Sequence, residues 1–165
     1  MIVTKETIYT KDQANKKLNV VREFEASTED VWRAWTESEL LDQWWAPKPW
    51  KANTTSMDFK VGGYWLYYMQ GPDNSRHYCR VDFTAIAPKK SFSAKASFCD
   101  ENGNVNNSFP VMFWKNEFTN AGDGTKVEIE LSFNTEEDLN KIIEMGFKEG
   151  FAMAHGNLDE LLASR

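Results

Sequence analysis

Four polar side chains keep step with apolar neighbours and could therefore do chemistry inside the protein. Arg22 is in phase with Leu18, Val20 and Phe24, Tyr67 with Trp65 and Met69, and Asn116 with Trp114 and Phe118, while His155 shares a helical stripe with Phe147, Phe151 and Leu158. A buried polar atom needs a partner. Arg22 could pair with a ligand carboxylate, and the four together would give a mostly apolar pocket the few convergent polar handles of a small-molecule site. Plainer readings stand beside this one: Arg22 at a rim, bonded to a strand acid, and His155 as a satisfied core histidine.

The residue sets that usually carry catalysis do not form. The two histidines, His77 and His155, lie far apart, and no HExxH or Cys-His cluster has metal-ligand spacing, so neither a zinc site nor another cofactor is expected. Nucleophile-elbow, phosphate-loop and dinucleotide motifs are missing from the sequence. The carboxylates fall at caps or on wet faces. His155 with Tyr67 or Arg22 is the one set that could be named for proton transfer, and the reading is non-enzymatic.

The stretch WTESELLDQWWAPKPW, residues 35–50, crowds Trp35, Trp44, Trp45 and Trp50 together. Trp35 and Trp44 read as core plugs at one end of a groove, or as ligand contacts, since large rigid rings fill irregular space. Trp45 and Trp50 follow the helix beside Pro47 and Pro49, and with Lys48 and Lys51 they read as a gate or a partner surface.

The elements that must position these groups follow from periodicity. A strand begins at Leu18 and stops at ASTED, where Ser27 can cap the N–H of Asp30 and start a short helix. Thr36 with Glu39 repeats the capping-box spacing and predicts a second helix, which Pro47 and Pro49 end. Six more strands are predicted over 54–61, 64–70, 77–87, 92–99, 110–119 and 125–133. In the last, Val127, Ile129, Leu131 and Phe133 alternate with polar residues, so one face is dry and one wet. From Thr135 to Leu162 apolar residues recur at steps of three and four, predicting one long helix of about 42 Å at about 1.5 Å per residue. Gly146, Gly150 and Gly156 inside it read as close packing, as room for a ligand, or, for Gly156, as a kink. The order predicts an α+β fold: a curved antiparallel sheet of about seven strands around a C-terminal helix, with two short helices after the first strand.

At 165 residues the chain is read as a single domain, with residues 1–16 as a loose leader or a short added strand. A net charge of -6 argues against nucleic acid. The longest apolar run, residues 64–69, cannot span a membrane, and no signal-type apolar segment opens the sequence, so a cytoplasmic protein is expected. Cys79 and Cys99 read as reduced thiols.

The runs VREFEASTEDVWRAWTESELLDQWWAP, FKVGGYWLYYMQGPDN and GDGTKVEIEL, in this order, resemble the START-like, or Bet v 1-like (SRPBCC), superfamily. The chain is similar to the branch related to the activator of the heat-shock-protein-90 ATPase, over roughly residues 18–163. The resemblance implies a helix-grip fold with a cavity between sheet and helix, in which many members bind an apolar ligand and some act as enzymes. It departs at Gly150-Phe151, where such members often carry Gly-Trp. The expected function is binding of a small apolar or weakly acidic molecule, with Arg22, Trp35, Trp44, Trp65, Tyr67, Asn116, Phe147, Phe151 and His155 as its contacts. The second reading is a chaperone-interacting module using Trp45, Lys48, Trp50 and Lys51, and the third a cyclase or hydrolase of the superfamily. The aromatic surface leaves a homodimer open.

Overall fold

Val127, Ile129 and Leu131 are almost wholly buried while Glu128 and Glu130 between them face water, so their strand must lie over a core. In the computed structural model, which describes residues 6–164, it is the last of the strands β1 (Ile8–Asp12), β2 (Lys17–Phe24), β3 (Lys51–Met57), β4 (Tyr64–Gln70), β5 (Arg76–Ala87), β6 (Ser91–Cys99), β7 (Met112–Ala121) and β8 (Gly124–Ser132). They form one 8-stranded antiparallel sheet in the order β1-β2-β8-β7-β6-β5-β4-β3. The eighth strand beyond the expected seven is β1, which pairs with β2 through residues of the N-terminal stretch. Register shifts at Thr54/Ser56 and Phe83/Ala85 mark bulges, which bend and twist the strands into a curved sheet. β3 lies earlier than the predicted 54–61, because residues 58–63 turn, with Gly63 N–H on the Lys60 carbonyl at 2.8 Å.

Helices α1 (Thr28–Thr36) and α2 (Ser38–Trp44) follow β2, and α3 (Glu136–Glu144) and α4 (Phe147–Ala163) follow β8. Ser27 caps α1 by accepting the Asp30 N–H at 3.1 Å, as the spacing predicts. Thr36 does not cap α2. It ends α1, and its buried hydroxyl donates to the Trp32 carbonyl at 2.8 Å, leaving Glu37 as a cap without a side-chain bond.

The single long helix expected from Thr135 is two helices. Gly146 adopts φ +91°, a left-handed conformation that terminates α3 and reorients the chain into α4. Gly156 makes no break, since α4 runs through it. Leu139 of α3 and Ala154 and Leu158 of α4 bury against the sheet in one continuous core. The architecture is the α+β helix grip. Among the described residues no helix is long and apolar enough to cross a membrane.

Candidate functional site

Between the curved half of the sheet and the C-terminal helices lies a cavity of about 300 Å³, at the lower end of the range for small-molecule sites. Its walls come from β3 to β7, from Trp35, Leu41 and Trp45 at the α1–α2 end, and from Ile142, Phe147 and Phe151 above; no residue of β1, β2 or β8 reaches it. Side-chain volume explains the hollow. On β6 the lining residues Ala94, Ala96 and Ser97 are small, and across from the sheet Gly146 and Gly150 add no side chain. The rings of Trp65 and Tyr67, stacked 4.1 Å apart, form a rigid flank that cannot collapse into the gap.

Five of the seven indole N–H groups fall into two sets. Trp44 donates to the Ala34 carbonyl, Trp45 to the Tyr67 hydroxyl and Trp65 to Thr54 Oγ1, each at 2.9 Å. The Thr54 hydroxyl in turn donates a hydrogen bond to Asp42 at 2.7 Å, and burial raises the Asp42 carboxyl above its ordinary range. In the second set, Trp35 Nε1 and Trp114 Nε1 are buried with no hydrogen-bond partner among the described residues, as are Ser97 Oγ and Asn116 Oδ1. All four residues belong to the cavity wall. Each orphaned group costs about 1–3 kcal/mol while it stays unpaired.

Of the contacts expected from sequence, the cavity brings together Trp35, Trp65, Tyr67, Asn116, Phe147 and Phe151. Three others do not reach it. Arg22 faces inward as its phase predicts and is only 4% exposed, but it lies on β2, pairs with Asp159 and donates to its neighbour's carbonyl, Glu23 O, at 2.6 Å. It is therefore not available to a ligand carboxylate. Trp44 packs behind Trp35 and Trp45, with ring centroids 5.0 and 5.2 Å away. His155 is fully buried over Phe24, its Nδ1 2.8 Å from Thr7 Oγ1, and burial followed by the Arg22 charge pushes its pKa down to about 3. It is neutral at physiological pH, and the proton-transfer set of His155, Tyr67 and Arg22 does not assemble around the cavity.

Trp45, expected at a partner surface, is instead part of the wall, because its N–H reaches inward to Tyr67. Lys48 is exposed and paired with Glu160 at 3.1 Å, and Lys51 is exposed. Trp50 lies half-buried against His77, across a Gly71 whose Cβ would come within 2.9 Å of the indole. Burial drives the Tyr67 hydroxyl well above its usual range and the Cys79 thiol up to about 12, so both stay protonated at neutral pH. Among the described residues no three His, Cys, Asp or Glu side chains gather where they could hold a metal.

The wall also contains residues that the sequence reading passed over: Cys79, Ser97, Met112 and the alanines of β6. A signal existed. Phe92, Ala94 and Ala96 share one strand phase, and small residues in the phase of a large ring on an inward face mark missing volume.

The profile of the "Activator of Hsp90 ATPase homolog 1-like protein" family matches residues 25–163. No curated protein matches the chain. Among solved structures it is similar to a protein of Arthrobacter aurescens, at 30% identity and a TM-score of 0.89 over 96% of this chain and 92% of that one. Protein Ms6760 of Mycobacterium smegmatis is similar at 29% identity and a TM-score of 0.88, over 95% and 96% of the two chains. Protein NE0264 of Nitrosomonas europaea gives 29% identity and a TM-score of 0.80, over 92% and 96%.

Proposed function

The chain belongs to the family of activator of Hsp90 ATPase homolog 1-like proteins, and from that premise we propose that it is a non-enzymatic receptor for one small, largely apolar molecule. The observation that carries this reading is the cavity of about 300 Å³ walled by rings, thioethers and small apolar groups. A guest burying its apolar surface there would gain about 25 cal/mol per Å² removed from water. The core is one cluster, which fits a single domain. A cytoplasmic setting fits the two free thiols, Cys79 and Cys99.

The family description gives the chaperone reading its only support. Of the residues expected to make that contact, Trp45 lies in the cavity wall and Lys48 is occupied by Glu160. The enzyme reading loses His155, which lies outside the cavity wall; the histidine in the lining is His77, whose ring packs on Trp50.

Thermal-shift screening followed by native mass spectrometry tests the proposal. The expected result is one bound small molecule per chain and a raised melting temperature. A broad library of neutral apolar compounds and fatty acids that leaves both mass and melting temperature unchanged would overturn it. A rise in the ATPase rate of the heat-shock-protein-90 chaperone on adding this protein would favour the second reading.

A further inference from the structure

We infer that the guest is an amphiphilic monocarboxylate, held with its apolar tail in the cavity and its carboxylate at the mouth beside His77; this rests on the receptor reading above. The cavity has a wet end and a dry end. Along β5 its lining passes from His77, exposed, through Cys79, half-buried, to Val81 and Phe83, both buried. The neighbouring strands repeat this gradient in register. On β4 Met69 is half-buried and Tyr67 and Trp65 are buried, and on β6 Phe98 and Ala96 are half-buried and Ala94 is buried. Three adjacent strands thus dry out in one direction, away from the β4–β5 hairpin. From His77 to Phe83 the depth is about 20 Å, at about 3.3 Å per residue. The dry end is backed by rings: Phe83 and Phe92 meet Phe59 edge-on at 4.8 and 5.5 Å, and Trp32 lies 5.8 Å from both Phe59 and Phe92.

An amphiphile fits such a gradient in only one orientation. Its tail gains by leaving water at the dry end, while its head keeps most of its hydration at the mouth. Among the described residues no Asp, Glu, Lys or Arg lines the cavity, so His77 is the one side chain of the wall that can take up a positive charge. Its ring packs on Trp50, with centroids 5.3 Å apart, which holds it at the lip.

The charges around the mouth place the head on the sheet side. Lys51 and Arg76, both exposed, occupy the next register row outward, across Gln70. Asp73, in the same hairpin, is engaged by the Ser75 hydroxyl and N–H at 2.6 and 3.1 Å. The helix side carries the exposed acids Glu144 and Glu149 on either side of Gly146, and there Lys48 is taken by Glu160. A carboxylate is therefore repelled from the helices and received at His77. Salt screens the net charge of -6 beyond about 10 Å, so these near groups decide the matter.

Isothermal titration calorimetry of the full chain with hexanoate, octanoate, decanoate and dodecanoate tests the inference. Affinity should rise about fourfold for each added methylene until the tail reaches the rings, and then level off. Decanedioate must carry a second carboxylate toward the dry end, and should bind at least about 100-fold more weakly than decanoate. His77→Asp should weaken decanoate about tenfold and decanol by less than about threefold, since only a charged head is repelled by the new carboxylate. Ala94→Leu, confirmed folded by circular dichroism, should move the levelling-off to a shorter chain. Decanedioate binding as tightly as decanoate, decanoate indifferent to His77→Asp, or an unmoved chain-length limit in Ala94→Leu would each overturn the inference. So would failure of every monocarboxylate to bind while the thermal-shift screen yields another guest, an outcome that leaves the receptor reading standing. If neither the series nor the screen yields a guest, the receptor reading falls as well.

Discussion

The same two C-terminal helices are gripped by two unlike halves of one sheet. Under β2 and β8, Leu18, Val20, Phe24, Val127 and Leu131 meet Leu139, His155 and Leu158 with no exposed surface at any of them. Under β3 to β7 the contacts are made by tryptophan, tyrosine, methionine and alanine, and a cavity remains. Branched aliphatic chains interlock and fill their layer, whereas large rings beside small residues hold space open because a ring cannot bend into a gap. Stability and capacity are thus assigned to different strands of a single layer.

The most damaging way to test that division is to hollow the solid half. Leu131→Ala should cost about 3–4 kcal/mol in urea unfolding, whereas Met69→Ala, at the edge of the existing cavity and already partly exposed, should cost under about 1.5 kcal/mol. Comparable losses would dissolve the distinction.

Acid should also strike the solid half first. The folded protein holds His155 at about 3, against 6.5 for an ordinary histidine, so on acidification the unfolded chain binds the proton before the folded one does. The histidine's contribution is therefore complete above about pH 6.5 and declines as pH falls toward 3, by about 1.4 kcal/mol per pH unit within that window. Between pH 6 and pH 4 the loss should be about 2–3 kcal/mol, and His155→Gln should flatten that slope relative to the parent. Parallel stability curves for the two proteins would show that the imidazole is not held neutral.

Filling the hollow half should have the opposite sign. Ala96→Leu places apolar bulk in the cavity and should raise stability by about 1 kcal/mol while eliminating binding of any small molecule found by the thermal-shift screen. A stable variant that still binds that molecule would move the guest elsewhere. The smallest effects belong to two glycines above the cavity. Gly146→Ala must carry a side chain at φ +91° and should cost about 1 kcal/mol. Gly150→Ala would meet only Pro47, at an ordinary 3.6 Å, and should gain about 0.5 kcal/mol from helix propensity.

Much of this partition can be traced to the residues themselves. Strand β8 announces itself because one face is wet and the other dry, a contrast that survives in Val127, Ile129 and Leu131 against Glu128 and Glu130, whereas β4, with Trp65, Leu66 and Tyr67 all buried, is marked only by the turn residues that flank it. The break between α3 and α4 does not. Gly146 and Gly150 are the same letter among helix formers, and only the backbone angle separates a terminator from an interior residue. Inward phase was legible for Arg22 and His155, yet hollowness depends on what crosses over from another element, and Asp159, Thr7 and Phe24 complete those two sites. Trp44 and Trp45 are adjacent, and a helix turns about 100° per residue, so which of the pair joins the wall follows from how α2 is rotated. Orphaned indoles have no sequence signature at all, since a missing partner is a property of three dimensions.

The first strands carry a practical lesson for anyone trimming this protein. Tyr9 donates to the Lys148 carbonyl at 2.7 Å and Thr7 meets His155, so the opening residues act as a strap across the C-terminal rod. The family match begins only at residue 25, beyond both β1 and β2. A fragment cut to that boundary would discard the strap together with β2, which pairs along β8 from Lys17 to Phe24, and should be recovered as insoluble or unfolded material rather than as a smaller receptor.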